Sequence, residues 1–234
     1  MITLSHLTRK FNENIAVDNL CLEIPKGAMF GFLGANGAGK TTTLKMLMGL
    51  LQPTSGTAII DGLDVASNPT AIKAKVGYLP DEVFLYDYLT GRQFLNFVAD
   101  VYCVDSSTRE QKINDLLESF GLKDAAEEYT ANYSFGMKKK LALASIVVHN
   151  PSLLILDEPF NGLDPQATRD FKEMLKKMSK EGTTIIFSSH VLEVVEKLVT
   201  HIAIINKGKL QVCDSIDNII GKYESLEKAF FSFT

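Results

Sequence analysis

Hydrophobic and polar positions alternate in short blocks at the start of the chain. Three blocks there are mostly apolar, with the turn sequences NEN and PKG between them: residues 2–7, 16–24 and 28–33. Apolar stretches of this length bounded by turn residues predict β-strands. After Gly34 the apolar spacing becomes helical over residues 40–48, and residues 57–60 predict a further strand after the turn PTSG.

The middle of the chain carries two signals for the start of a helix. Thr90 is followed three residues later by Gln93, and Ser107 is followed in the same way by Glu110. A hydroxyl at the N-cap with Gln or Glu three positions on forms a capping box, in which each side chain bonds the other residue's backbone N–H. We therefore expect a mostly helical segment over about residues 84–150.

Strands and helices alternate in the last third of the chain. The order is a strand LLIL, a polar helix at residues 165–180, a strand TTIIFSS, a helix VLEVVEKL, and short strands around AIIN and KLQVC. Such alternation predicts an α/β core with a parallel sheet. We expect one domain over residues 1–234, with its core and β-subdomain in residues 1–83 and 151–234 and the helical segment inserted between them.

The composition is that of an ordinary globular protein. Of the 234 residues, 46% are hydrophobic and 22% are charged, which excludes a disordered or low-complexity chain. A formal charge of −4 implies no broad cationic face, so no nucleic acid partner is expected. No apolar run reaches the ~20 residues that span a bilayer, and the first residues lack the apolar core of a signal peptide.

The three cysteines are odd in number and far apart, and they lack the spacing of metal ligands. We expect Cys21, Cys103 and Cys213 to be small apolar packing residues. Their use fits a reducing compartment, the cytoplasm.

One glycine-rich segment has a phosphate-binding pattern. Residues 34–41 read GANGAGKT, which fits G-x-x-x-x-G-K-[ST], and they lie between a predicted strand and a predicted helix. In this context backbone N–H groups face phosphates, the Lys40 ammonium reaches the β and γ oxygens in binding and catalysis, and the Thr41 hydroxyl binds Mg²⁺. The nucleotide-binding residues predicted from this loop are Asn36, Gly37, Ala38, Gly39, Lys40, Thr41 and Thr42.

An acidic pair follows a buried strand further along. The apolar residues 153–156 end in Asp157 and Glu158. A phosphate loop needs a carboxylate for its metal, and Asp157 at the strand end supplies one. Glu158 is placed to take a proton from a water that attacks the γ-phosphate. Guanine specificity is not expected, because the nearest text to Asn-Lys-x-Asp is NKGK at residues 206–209.

Three further motifs occur along the chain. Residues 133–137 read YSFGM at the start of a predicted helix, residues 161–164 read NGLD, and residues 188–190 read SSH at a strand end. With the phosphate loop and the acidic pair, they make the sequence resemble the ATP-binding subunit of an ABC transporter over essentially the whole chain. The resemblance implies a P-loop NTPase core with a parallel sheet, an N-terminal antiparallel β-subdomain and an inserted α-helical subdomain.

The resemblance also implies roles for residues outside the phosphate loop. Ser134 and Gly136 of the signature motif would bind the γ-phosphate held by a second subunit. His190, the switch histidine, would contact the γ-phosphate as a catalytic residue. Phe11 stands where the family has an aromatic ring that stacks on adenine.

Two motifs depart from the family's pattern. After the strand VGYLP the family usually has Gln, which touches the metal and the attacking water, but this chain has Asp81. Asp81 is therefore a candidate metal ligand that brings an additional negative charge. The signature contains Phe135 and Met137 where small and polar residues are commoner, and its Ser-x-Gly-Met pattern resembles the branch that pairs with small export permeases.

Two clusters admit two interpretations each. Residues 138–140, KKK, lie in the first turns of the signature helix, where cations oppose the helix dipole; either a bound triphosphate offsets that cost or the lysines are solvated. The aromatic residues Phe84, Tyr86 and Tyr88 either receive a helix of a membrane partner or pack the helical insert.

The leading hypothesis is an ATPase subunit that uses ATP and Mg²⁺, dimerises with a second copy and drives a separate integral-membrane permease from the inner face of the cell membrane. Export is favoured over import. The alternatives are a soluble ABC ATPase acting on ribosomes, DNA or cluster assembly, and a nucleotide-binding regulator that hardly hydrolyses, which only Asp81 suggests.

Overall fold

The computed structural model describes residues 1–233 and contains two β-sheets. The smaller sheet is antiparallel and has the strand order β2-β1-β4-β5. Its strands are β1 (Ile2–Phe11), β2 (Asn14–Ile24), β4 (Ser55–Ile60) and β5 (Leu63–Asp64). This is the antiparallel β-subdomain that the resemblance implied.

The larger sheet has six strands in the order β10-β9-β3-β8-β7-β6. All of its pairings are parallel except that of the edge strand β10 with β9. Its strands are β3 (Met29–Leu33), β6 (Val76–Leu79), β7 (Leu153–Leu156), β8 (Thr184–Ser189), β9 (His201–Asn206) and β10 (Lys209–Ser215).

Nine α-helices lie among the described residues, together with a 3-10 turn at Thr130–Asn132. Three of them, α3, α4 and α5, form the helical insert. The helices are α1 (Lys40–Leu47), α2 (Pro69–Lys73), α3 (Gly91–Val101), α4 (Ser106–Ser119), α5 (Phe135–Val147), α6 (Pro165–Lys180), α7 (Leu192–Glu196), α8 (Ile216–Tyr223) and α9 (Leu226–Phe233). The predicted fold class is confirmed.

The six-stranded sheet is covered on both faces, which is why its central strands β3 and β7 are apolar throughout. Along β3, Phe30 and Phe32 belong to a core shared with β1, β2, β4 and α1. Met29 and Leu33 point the other way, into a second core built with α3, α4, α5 and α6. This alternation is the period-2 geometry of a strand. It places the phosphate loop, directly after Leu33, where both layers meet.

Helix α5 packs against β6 at backbone contact. A Cβ on Gly77 of β6 would lie 2.3 Å from the backbone oxygen of Ile146, a distance no side chain tolerates. Glycine at this position therefore lets α5 lie directly on the sheet, and the earlier turns of α5 reach towards the ends of β6 and β7.

The two predicted capping boxes have different outcomes. At Thr90 the box is present, because Oγ1 accepts a hydrogen bond from Gln93 N (3.2 Å) and Gln93 Oε1 accepts one from Thr90 N (3.0 Å). The predicted N-cap at Ser107 is wrong. The N-cap is Asp105, whose Oδ1 accepts hydrogen bonds from both the backbone N (2.8 Å) and the Oγ (2.7 Å) of Ser107. One carboxylate oxygen thus holds two donors, and the helix starts earlier.

The expectation for the cysteines is also wrong. Cys21, Cys103 and Cys213 are free and exposed, and none of them belongs to either core. Within residues 1–233, no helix has the length and apolar character needed to cross a bilayer.

Candidate nucleotide-binding site

The phosphate loop joins β3 to α1 through backbone conformations that favour glycine. Gly37 has φ +77° and Gly39 has φ +106°, both in the left-handed region. A Cβ on Gly39 would also lie 2.4 Å from the carbonyl oxygen of Ala16, so β2 passes against the loop. Gly39 is the N-cap of α1 and no side chain caps this end. The first N–H groups of α1 are thus left for an anion.

Lys40 is held inside the loop that it follows. Its residue is 7% exposed, and its Nζ donates hydrogen bonds to the backbone oxygens of Gly34 (2.7 Å) and Ala35 (3.2 Å). Burial lowers the pKa of Lys40, while the carboxylates of Glu158 and Asp157 oppose that shift. The ammonium is thereby anchored at one end of the site and faces two acidic groups at the other.

Asp157 is almost fully buried and has one oxygen without a partner. Its residue is 1% exposed, and its Oδ1 accepts a hydrogen bond from Ser188 Oγ (2.5 Å). Its Oδ2 is buried and has no hydrogen-bond partner among residues 1–233. A buried carboxylate oxygen left open in this way suits a hard cation.

Glu158 is aimed by its backbone and by two neighbours. It has φ +47°, which is uncommon for a residue with a side chain and turns the chain sharply after β7. Its backbone N donates to Ser188 Oγ (2.9 Å), and its Oε2 lies 3.0 Å from Nδ1 of His190. The two consecutive acidic side chains thus have different neighbours: the Asp157 carboxylate contacts Ser188, and the Glu158 carboxylate contacts His190, which follows β8.

These residues line one cavity of about 180 Å³. Its wall contains every nucleotide-binding residue predicted from the phosphate loop, the acidic pair and Asp81, which departs from the family's pattern. The lining residues are Ala16, Asn36, Gly37, Ala38, Gly39, Lys40, Thr41, Thr42, Asp81, Asp157 and Glu158. Asp81 comes to this cavity because β6 pairs with β7 in parallel, with Leu79 opposite Leu156, so the segments after both strands leave the same sheet edge.

The donor set fits Mg²⁺ and a triphosphate. Within residues 1–233 no group of three or more His, Cys, Asp or Glu residues is arranged to hold a metal ion alone. Mg²⁺ in nucleotide sites usually takes only one or two protein ligands and completes its shell with phosphate oxygens and water. The Thr41 hydroxyl and the open oxygen of Asp157 are the ligands that would hold it.

Three residues that the resemblance singled out lie elsewhere. Ser134 is exposed and caps α5, accepting a hydrogen bond at Oγ from Met137 N (3.3 Å), and neither Ser134 nor Gly136 lines the cavity. Phe11 is 43% exposed at the end of β1, and the guanidinium carbon of Arg9 lies 4.5 Å from its ring centre. Stacking of Phe11 on adenine stays a prediction.

The three lysines of the signature helix separate into two environments. Lys138 forms an ion pair with Asp87 (3.7 Å), and Lys140 forms one with Asp164 (2.9 Å). Lys139 is only 2% exposed, and its Nζ lies 3.4 Å from the backbone oxygen of Glu158. Solvation therefore does not account for Lys139.

The aromatic string is mostly exposed. Phe84 is 82% exposed and Tyr88 is 90% exposed, so these rings do not pack the helical insert. Tyr86 is 59% exposed and makes an edge contact with Phe97 at 5.4 Å between ring centres. Packing of the insert therefore holds only for part of Tyr86.

Sequence reasoning missed two features around the cavity and did not separate Lys139 from its lysine neighbours. Ala16 lines the cavity, and its backbone oxygen lies close to Gly39 of the phosphate loop. No sequence signal indicates this contact. Ser188 was quoted only as part of the SSH motif, yet its hydroxyl bonds both Asp157 and Glu158. The cost of opposing the helix dipole drew attention to residues 138–140 together, and no sequence signal marks Lys139 as the buried one.

Residues 17–161 match the protein family described as ABC transporter. The chain belongs to this family. Members of the family bind and hydrolyse ATP, and their ATP-binding proteins work as dimers with membrane permeases.

Curated ABC transporter ATP-binding proteins are similar over most of the chain. NatA of Bacillus subtilis is 34% identical over 96% of this chain and 92% of its own length. The bacitracin transport ATP-binding protein BcrA of Bacillus licheniformis is 38% identical over 90% of this chain and 68% of its own length. An uncharacterised ABC transporter ATP-binding protein of Nostoc sp. is 37% identical, and the chain spans only 62% of that protein.

A solved ABC structure has nearly the same fold. The chain superposes on an ATP-binding subunit of an ABC transporter with a TM-score of 0.94 and 28% identity, covering 99% of this chain and 98% of that one. The ABC cassette fold therefore extends through the C-terminal helices α8 and α9.

Proposed function

We propose that the chain is the ATP-hydrolysing subunit of an ABC exporter, that it works as a dimer with Mg²⁺, and that it drives a separate membrane permease. The observation that carries this proposal is the cavity itself. One wall holds an anion-binding helix end with Lys40, and the facing wall holds Asp157 and Glu158.

The residues of the cavity divide the chemistry of phosphoryl transfer among them. The loop N–H groups and the Lys40 ammonium stabilise negative charge on the β- and γ-phosphates. Mg²⁺, held by Thr41 and Asp157, would neutralise charge that develops on the phosphate oxygens. Glu158 would accept the proton of the attacking water, and His190, 3.0 Å from its carboxylate, would orient Glu158 and contact the γ-phosphate.

The position of the signature helix supports the proposed dimer. Ser134 and Gly136 mark an exposed helix N-terminus that does not reach the cavity of its own chain. The Ser134 hydroxyl and the first N–H groups of α5 form an anion-binding end that a nucleotide bound to a second copy would complete. ATP would thus bridge two chains, and hydrolysis would release them.

Export and the permease contact rest on relatives and on an exposed surface. BcrA is named for bacitracin transport, and this chain shares 38% of its residues over the aligned part. The exposed rings of Phe84, Tyr86 and Tyr88 follow directly after Asp81, so a partner docked on them would touch the segment that lines the nucleotide cavity. Attachment to a permease would hold the chain at the inner face of the membrane.

The proposal is tested by two measurements on the natural chain. The purified protein should hydrolyse ATP in a Mg²⁺-dependent manner, with Glu158→Gln as the inactive control. An affinity-tagged chain, purified from gently solubilised membranes, should bring down an integral-membrane permease. Turnover by a chain that brings down no membrane protein in the second measurement would favour a soluble ABC ATPase. Tight nucleotide binding without turnover would favour a regulator.

A further inference from the structure

Lys139 is a buried cation that the roles assigned above do not use. Its residue is 2% exposed, and the ammonium has three N–H donors. Within residues 1–233, the Lys139 ammonium donates a long hydrogen bond of 3.4 Å to the backbone oxygen of Glu158. A charge held inside a protein with so little hydrogen bonding is costly unless opposite charge lies near it.

The fold brings Lys139 to the acidic side of the nucleotide cavity. Gly77 lets α5 lie against β6, and the contact of Lys139 with Glu158 places its ammonium beside the residue that follows β7. Asp81 and Glu158 emerge from the same sheet edge and line the same cavity. Lys139 therefore enters this edge from the helical layer, whereas Lys40 enters it from the phosphate loop.

The charges of the site are unequal without Lys139. Three carboxylates belong to it, Asp81, Asp157 and Glu158, against the single cation Lys40. Burial lowers the pKa of Lys139, and the charges that oppose this are, in decreasing order, Asp81, Asp157 and Glu158. Of these three carboxylates, Asp81 is the one that stands where the family usually has a neutral residue, and it lines the cavity edge that Lys139 reaches.

We propose that Lys139 is the internal counter-charge of Asp81, a positioning residue that lets a carboxylate occupy the nucleotide cavity where the family usually has a neutral Gln. The two groups form no ion pair within 4 Å, so their attraction acts across the protein interior, where charges are screened less than in water. Lys139 halves the excess negative charge that a triphosphate meets. This role rests on the proposed function, since it concerns the same nucleotide site.

The first test is a double-mutant cycle on stability in the absence of nucleotide. Lys139→Met keeps most of the side-chain volume and removes the charge, and Asp81→Gln restores the family's neutral residue. Chemical denaturation is measured on the natural chain, the two single variants and the double variant. The factor by which Lys139→Met lowers the folded-to-unfolded ratio should be about ten times smaller in the Asp81→Gln background than in the natural one. Lys138→Met, which removes the neighbouring charge paired with Asp87, is the matched control and should show no such coupling.

The second test measures ATP binding without Mg²⁺. Lys139→Met should weaken binding by about tenfold, Lys139→Arg should bind nearly as the natural chain does, and Asp81→Gln combined with Lys139→Met should recover most of the loss. Equal effects of Lys139→Met in both backgrounds, or a double variant as unstable as the single one, would overturn the proposal. A natural chain that neither binds nor hydrolyses ATP would overturn the proposed function, yet the stability cycle would still decide the counter-charge.

Discussion

Glu158 and His190 meet at the rim of the cavity, where the side chain of Glu158 is 12% exposed and that of His190 is 55% exposed. This asymmetry suits a base that is shielded from bulk water and oriented by a group open to an incoming phosphate. The buried hydroxyl of Ser188 bonds both the backbone of Glu158 and the carboxylate of Asp157, so it links the proposed metal ligand to the proposed base.

Glu158→Gln should keep ATP binding and reduce hydrolysis by about 10²–10⁴-fold, because the amide preserves the shape of the side chain but cannot accept the proton of water. Steady-state turnover and nucleotide affinity, measured on the same preparation, check this expectation. Lys40→Ala is the contrasting variant and should damage binding and turnover together, since its charge faces phosphate in both ground and transition states. Turnover within a few-fold of the natural chain would remove Glu158 from the role of base.

Phe11→Ala should weaken ATP binding by roughly 1–3 kcal/mol, because this is the usual free energy of stacking a base on an aromatic ring. The rate at saturating ATP should change little. The ring is accessible for this, and Arg9 already lies against it. Nucleotide titration with ATP and GTP checks the point, because stacking alone tolerates either base. A preference for ATP of a hundredfold or more would show that a hydrogen bond to the base also contributes.

Among the elements, α5 is the helix of the insert that lies nearest to the site. Its start is capped by Ser134, whose Oγ accepts a hydrogen bond from Met137 N, and its later turns lie on β6 at Gly77. The same helix carries Lys139 towards the cavity.

Two N-cap variants separate the stabilising role of a cap from nucleotide contact. Ser134→Ala and Thr90→Ala should each cost about 1 kcal/mol of folding stability, since each removes a side-chain acceptor at a helix start. Only Ser134→Ala should also impair ATP-dependent dimerisation, measured by size-exclusion chromatography in a Glu158→Gln background. Equal dimerisation of both variants would contradict a nucleotide contact at Ser134.

Sequence alone predicted the elements whose signals are local. The phosphate loop could be predicted because a strand, glycines, Lys40 and Thr41 follow one another in the sequence. The strand before Asp157 could be predicted because it is an apolar run. The predicted start of α4 was wrong because both Asp105 and Ser107 are suitable N-cap residues. Asp105 is the N-cap in the structure, where its carboxylate accepts hydrogen bonds from both the backbone N and the hydroxyl of Ser107.

Burial of single side chains was beyond the sequence because it depends on contacts between distant segments. Lys139 stands between two lysines that reach ion-pair partners, and only the packing of α5 on β6 distinguishes it from them. The exposed cysteines show the reverse case, since a residue type that is usually buried lies outside both cores.

At the scale of the whole molecule, the helical insert packs on one face of the six-stranded sheet, and contacts between its own segments brace it there. His149, after α5, stacks on Tyr102 at the end of α3, with ring centres 3.7 Å apart. Burial lowers the pKa of His149 to about 4, so the folded protein keeps the ring neutral.

This burial makes stability depend on pH in a definite direction. Between pH 4 and the ordinary histidine pKa of about 6.5, the unfolded chain binds a proton at His149 that the folded chain does not, so stability falls as pH decreases through this window. We expect a loss of about 1–2 kcal/mol between pH 7 and pH 5, after allowance for the partial exposure of the ring. His149→Phe keeps a ring to stack on Tyr102 and should flatten this part of the curve while leaving stability at pH 8 nearly unchanged. Urea denaturation of both chains at pH 5, 6, 7 and 8 measures the difference, and parallel curves over that range would mean that His149 does not sense acid through its burial.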